Sequence, residues 1–114
     1  MPSLDMNGPY ELTNEKIDQT ITRTTPGNYA LGYVRELTFY VLYVGRSDDD
    51  VNARLKQWVG HSRYTHFMFS YARSSRDAFE KECKNYHDFD VPPDNKEHPK
   101  RPNGTDWKCP VCSA

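Results

Sequence analysis

Gly27-Asn28-Tyr29-Ala30-Leu31-Gly32-Tyr33-Val34, followed by Phe39-Tyr40-Val41-Leu42-Tyr43-Val44-Gly45, is the stretch whose reading decides the fold. Pro26-Gly27 is turn chemistry. Tyr29 to Val34 then reads as a strand, and Arg35-Glu36 as a turn or a short extension. Phe39 to Val44 is an unbroken run of β-branched and aromatic side chains, the pattern of a strand buried on both faces. The two segments are expected to pair as an antiparallel hairpin.

Outward from the hairpin the punctuation is regular. Gly45 ends the second strand, and Ser47 or Asp48 can accept hydrogen bonds from the first amides of a helix. The neighbouring aspartates suit the positive end of its dipole. Val51, Leu55, Trp58 and Val59 recur at helical spacing, which predicts a helix from about Asp49 to Val59 with Gly60 as its stop. Thr65 to Tyr71 alternates, with Phe67, Phe69 and Tyr71 on one face, and reads as a third strand. Ser74 or Ser75 caps a second helix over roughly Arg76 to His87, and Pro92-Pro93 prevents its continuation.

The expected fold is therefore α/β. A small three-stranded, mostly antiparallel sheet is flanked by helices in the order β-β-α-β-α, with an irregular C-terminal tail. Residues 1–25 form an N-terminal arm or edge segment, in which Thr20-Ile21-Thr22 is a candidate edge strand. Residues 26–95 form the domain proper. Residues 96–114 form a tail rich in proline and poor in aliphatics, which something other than a core must hold.

Bulk properties narrow the classes. A chain of 114 residues has room for one modest core. Mean hydropathy is −0.92, so the surface is strongly polar. Aromatic content of 13%, with eight tyrosines, argues against disorder. A net charge of −1 does not announce a polyanion binder. Yet no acid interrupts Arg54, Lys56, His61, Arg63, His66, Arg73 and Arg76, so the run is either one basic face or a solvated charge run. No apolar run approaches the roughly 18 residues of a membrane helix. Met1 to Asn7 lacks the basic and hydrophobic regions of a secretory signal, and three cysteines do not make a disulfide framework. A cytoplasmic, reducing setting is expected.

Tyr29 and Tyr43 on the hairpin, Arg54 on the first helix, Glu82 on the second and Asn95 in the following loop form an ordered polar set. Together with Gly27-x-Tyr29 and Tyr43-x-Gly45, this set resembles the GIY-YIG nuclease family over Gly27 to Asn95. The resemblance implies a metal-dependent endonuclease hydrolysing DNA phosphodiester bonds, with Tyr29, Tyr43, Arg54, Glu82 and Asn95 as its catalytic set. Glu82 would hold Mg²⁺ or Mn²⁺, a hard cation that suits one carboxylate plus water. Arg54 offers a permanent charge and a planar fork to phosphate oxygens. A tyrosine is a poor base at neutral pH unless cations lower its pKa, and Arg46 and Arg54 are expected to supply that field with the metal. Which tyrosine takes the proton stays open. Glu80 lies about 200° around the helix from Glu82, so only one of them can face the sheet.

Arg46, His61, Arg63 and His66 are candidate phosphate contacts, and Tyr64 either stacks on a base or fills the rim. Asn28 replaces the apolar residue usual in the first motif, and Arg46 a lysine common after the second. The partners implied are DNA and either a second copy or a separate targeting partner, with no membrane. The rival reading is a non-catalytic nucleic-acid or protein-binding module with the same fold.

Cys109-Pro110-Val111-Cys112 is half of a zinc knuckle. Cys83 and His87, at i and i+4 on the second helix, can complete a four-ligand Zn²⁺ site, with His98 as the competing ligand. Such an ion would be structural, stapling the tail to the domain; free thiols are the alternative.

Overall fold

The computed structural model describes residues 6–61, 63–88, 93–95, 98–100 and 104–111. The elements run β1 (Asn7–Glu11), α1 (Asn14–Thr20), β2 (Gly27–Arg35), β3 (Thr38–Ser47), α2 (Val51–Lys56), β4 (His66–Tyr71) and α3 (Ser75–Asp88). The sheet is four-stranded in the order β1-β4-β2-β3, and every pairing is antiparallel. The fold is α/β as expected. The strand count and element order are not, because the N-terminal segment contributes a strand and a helix. Asn7–Glu11 pairs with β4, and no edge strand forms at Thr20–Thr22, where α1 ends at Thr20 with Ile21 as its C-cap; the Thr13 cap at its start accepts from the Lys16 amide.

β2 is the central strand and carries the sheet's burial: Gly27 to Gly32 are all buried. β3 was expected to be buried on both faces. It is instead an outer strand, and most of its residues are half-buried or exposed. Its apolar run reflects partial packing on both faces, Leu42 and Tyr43 toward one cluster and Phe39, Val41 and Val44 toward the other, and cover along its edge. The hairpin closes at Glu36 and Leu37, both at positive φ (52° and 67°), as a two-residue type I′ turn requires.

One face of the sheet packs Tyr29, Leu31, Phe67 and Phe69 against Ile17 and Ile21 of the α1 region and Val51 and Leu55 of α2. The opposite face packs Ala30 and Val44 against Tyr86 of α3. α2 is shorter than expected, because Asp50 rather than Ser47 or Asp48 is its cap and its last turn tightens to i→i−3 bonds at Trp58 and Val59. Gly60, at φ 98°, ends that turn. In α3 the residues Ala78, Phe79, Glu82, Cys83, Asn85 and Tyr86 form the buried side. Asn28, the departure from the apolar pattern, is fully buried and donates its side-chain amide to the Ala78 carbonyl at 2.8 Å, tying β2 to α3. No helix among the described residues is long and apolar enough to cross a membrane.

Candidate active site

Side chains alternate along a strand, so Tyr43 and Gly45 face one side of β3 while Val44 and Arg46 face the other. A cleft of about 570 Å³ draws on both sides, and therefore opens around the outer edge of β3. Tyr29, Tyr43 and Arg54 line it from one face, Arg46 and Glu82 from the other. Asp94, Asn95 and His98 to Lys100 close it along the edge.

Gly45 makes the arrangement possible. Tyr29 is its cross-strand partner, and a Cβ at position 45 would stand 2.6 Å from the Tyr29 phenol oxygen. Only a residue without a side chain leaves room for the ring over the strand. Gly27 serves likewise at the strand's start, where a Cβ would meet the Ser70 carbonyl at 2.6 Å. The Tyr29 hydroxyl accepts from Trp58 Nε1 at 3.0 Å, and the Tyr29 and Tyr43 rings lie 6.3 Å apart.

Both phenols are shifted upward, because burial outweighs the lowering that Arg54 supplies. For Tyr29, burial dominates, with Tyr43 adding to it and the Trp58 bond and Arg54 opposing. For Tyr43, burial again leads and Glu82 adds, while Arg54 and a hydrogen bond from Tyr29 pull downward. Arg46 is engaged elsewhere. Its guanidinium bridges Glu82 Oε1 and Asp48 Oδ1, donates to the Lys100 carbonyl, and lies 5.2 Å over the Phe79 ring. Burial works against its charge, but Glu82 and Asp48 outweigh it and hold its pKa above the usual value. Burial raises the Glu82 carboxyl above the ordinary glutamate range despite Arg46. Glu80 lies outside this site, paired with Arg76.

Arg54 is exposed, and its Nη1 donates to the Gln57 side chain at 3.1 Å. Asn95 is held on the strand: its amide donates to the Val44 carbonyl and its oxygen accepts from the Val44 amide, both at 2.9 Å. It acts as a one-residue extension of the sheet. Asp94 reinforces it, its amide bonding the Leu42 carbonyl and its carboxylate receiving Tyr64 and two bonds from Arg63.

Three of the phosphate-contact candidates lie apart from the cleft. Arg63 is engaged by Asp94, His61 packs on Trp58 and Tyr64, and His66 sits on β4 opposite Glu11, its ring bonded to Thr65. Tyr64 is buried, with its hydroxyl on Asp94, so its face is not offered to a base. The basic run is partly neutralised as well: Lys56 pairs with Asp18 and Arg76 with Glu80. Asp48, read from sequence only as a helix-start residue, proves to be a further carboxylate of the cleft, beside Glu82 and Asp94.

Behind Glu82, Cys83, His98 and Cys109 offer ligand atoms that all lie within 4.8 Å of one another, a group that can hold a metal ion. His98 rather than His87 joins the two sulfurs. His87 stands beyond it, its Nε2 3.3 Å from that of His98. Cys112 lies outside the described residues. No disulfide joins the two described cysteines, and burial, with a hydrogen bond to Cys109, pushes the Cys83 thiol up.

No family model matches the chain, and no curated protein or solved structure is significantly similar to it.

Proposed function

We propose that the protein is a metal-dependent endonuclease of the GIY-YIG type, hydrolysing DNA phosphodiester bonds. The observation that carries this reading is that Tyr29, Tyr43, Arg54 and Glu82, drawn from four elements, line one open cleft.

The donor set fits the cation that the reading requires. Glu82 is a single buried carboxylate at the wall of a cleft with space for water and phosphate oxygens, the environment Mg²⁺ or Mn²⁺ accepts. Glu82 would hold the ion, which when bound offsets the charge developing on the phosphate. The chain's own residues do the rest. Arg54, outside any ion pair with a described carboxylate, binds a phosphate oxygen. Tyr29, buried and already accepting from Trp58, keeps its proton and hydrogen-bonds Tyr43, which favours the phenolate there. Tyr43, the less buried phenol, is the better proton acceptor for an attacking water. Arg46 must part from Glu82 for the cation to enter, which frees its guanidinium for phosphate as well. DNA is the partner, with targeting left to a second copy or another protein.

For the neighbouring group we propose Zn²⁺. Two sulfurs and an imidazole select a soft or borderline ion over Mg²⁺. Cys112, from its spacing to Cys109, is the natural fourth ligand.

Incubation with supercoiled plasmid and Mg²⁺ or Mn²⁺ tests the nuclease reading. Wild type is expected to nick, and Glu82→Ala and Tyr43→Phe are not. DNA binding with no nicking by wild type in either cation would favour the non-catalytic module.

A further inference from the structure

Cys83 directly follows Glu82 in α3, and both belong to its buried side. His98 belongs at once to the metal-ligating group and to the lining of the cleft. Two residues on, the Lys100 carbonyl accepts from Arg46, whose other nitrogens hold Glu82 and Asp48. Cys109 is buried beside Phe79 and Trp107, and the Phe79 ring lies under the Arg46 guanidinium. The group is therefore one residue away from the cleft's carboxylate on one side and part of its wall on the other.

We infer that a zinc ion on Cys83, His98 and Cys109 is a latch for that wall, fixing His98–Lys100 across the edge of the sheet and, through Lys100, setting where Arg46 stands. The inference rests on the zinc proposed above for this group, and it stands apart from the nuclease reading of the cleft. Among the described residues, the only apolar cluster reached by 104–111 is that of Trp107 and Cys109 with Phe79 and Cys83. A cluster of that size offsets little of the entropy lost on ordering a segment, roughly 1–2 kcal/mol per residue for the backbone alone. The geometry is close to that of a filled site. Tetrahedral Zn²⁺ with bonds of about 2.0–2.3 Å brings its ligand atoms to about 3.4–3.8 Å from one another. The observed limit of 4.8 Å needs inward shifts of only a fraction of an ångström to about one ångström. The ion thus ties the second half of α3, the cleft wall and the last described segment into one unit. It differs in ligand chemistry from the oxygen-bound cation of the cleft, so soft chelators remove it while Mg²⁺ cannot replace it.

Full-length protein, zinc-loaded or stripped with 1,10-phenanthroline and returned to excess Mg²⁺, decides the matter by metal analysis and hydrogen exchange. About one zinc per chain is expected, and stripping should speed exchange at least tenfold in peptides covering 98–111 while β2 and β4 stay protected. His98→Ala should weaken zinc binding at least tenfold and His87→Ala much less; Cys109→Ser gives a second ligand variant should His98→Ala fail to fold. No bound zinc, unchanged exchange on stripping, or equal losses in the two histidine variants would overturn the latch. Plasmid nicking in the same samples reads the other proposal separately. A zinc-ordered tail with no nicking keeps the latch and removes the nuclease. Nicking that survives stripping with unchanged exchange does the reverse.

Discussion

Tyr29 and Gly45 are cross-strand partners whose contact is possible only because one of them has no side chain: a Cβ on Gly45 would stand 2.6 Å from the Tyr29 phenol. The glycine of Tyr43-Val44-Gly45 is thus the seat of the phenol, and not only a strand end. Gly45→Ala should push the ring out of its place, with a loss of about 1–3 kcal/mol typical of overpacking. The Trp58–Tyr29 bond should weaken with it. Thermal denaturation and the near-UV circular dichroism of the aromatic cluster measure both effects; an unchanged melting temperature and spectrum would refute the account.

The two phenols should separate in their effects. Tyr29→Phe leaves Trp58 Nε1 without its acceptor and should cost about 1 kcal/mol of stability. Tyr43→Phe should cost less stability but, if Tyr43 receives the proton, about 10²–10⁴-fold in nicking rate. Because burial holds the Tyr43 phenol above its ordinary value, its ionised fraction grows with pH. The wild-type rate should therefore climb between about pH 7 and pH 9, and Tyr43→Phe should flatten the climb. Plasmid nicking across that range gives the answer.

Arg46 and Glu82 form a buried pair, with side chains 11% and 9% exposed. Removing the cation alone strands a carboxylate, so Arg46→Met should cost about 3–5 kcal/mol at neutral pH. The sign with pH follows from the raised pKa of Glu82. A group whose folded pKa lies above its unfolded value favours folding when protonated, and loses that contribution as pH rises through the folded value. Without Arg46 that pKa climbs further, so the deficit should shrink on acidification. Urea midpoints at about pH 5 and pH 8, with Arg46→Met/Glu82→Gln as the relieved double variant, supply the check.

The hairpin tip carries strain that the cleft does not need. Glu36 and Leu37 both adopt positive φ, and Leu37 is fully exposed. Replacing the pair by Asn-Gly, the residues this turn favours, should stabilise the protein by about 1 kcal/mol. Nicking should not change, because the tip lies at the opposite end of the hairpin from Gly45. Denaturant midpoints with a parallel nicking assay would show it.

Legibility in the sequence followed local physics. The hairpin, β4 and α3 announce themselves by apolar period; helical geometry says that only one of Glu80 and Glu82 can face the sheet, and the family resemblance picks Glu82, which the structure buries while it leaves Glu80 on Arg76. β1 was not legible, because Asn7-Gly8-Pro9-Tyr10-Glu11 has turn composition and becomes a strand only by pairing with β4. α1 buries just Ile17 in seven residues, too little to mark a period. The outer position of β3 is hidden for another reason: an apolar run cannot tell an interior strand from an edge covered by a loop. Asp48 was read only as a helix start and His98 only as the competing ligand, because both act across the fold, on Arg46 and beside Cys83 and Cys109. No periodicity records such distances. The phenol shifts show another limit: burial, which a sequence does not display, leads in both and outweighs the arginine that lowers them.

Asn95 grips Val44 by both of its backbone groups, and Asp94 adds a bond at Leu42. These two residues seal the strand margin beside the cleft, so a protease cut or truncation that removes them would uncover hydrogen-bonding groups in a row of aromatic and β-branched side chains. The shortened protein would be sticky: it should self-associate through β3, and a preparation that clouds on storage would point to loss of these residues rather than to a failing core.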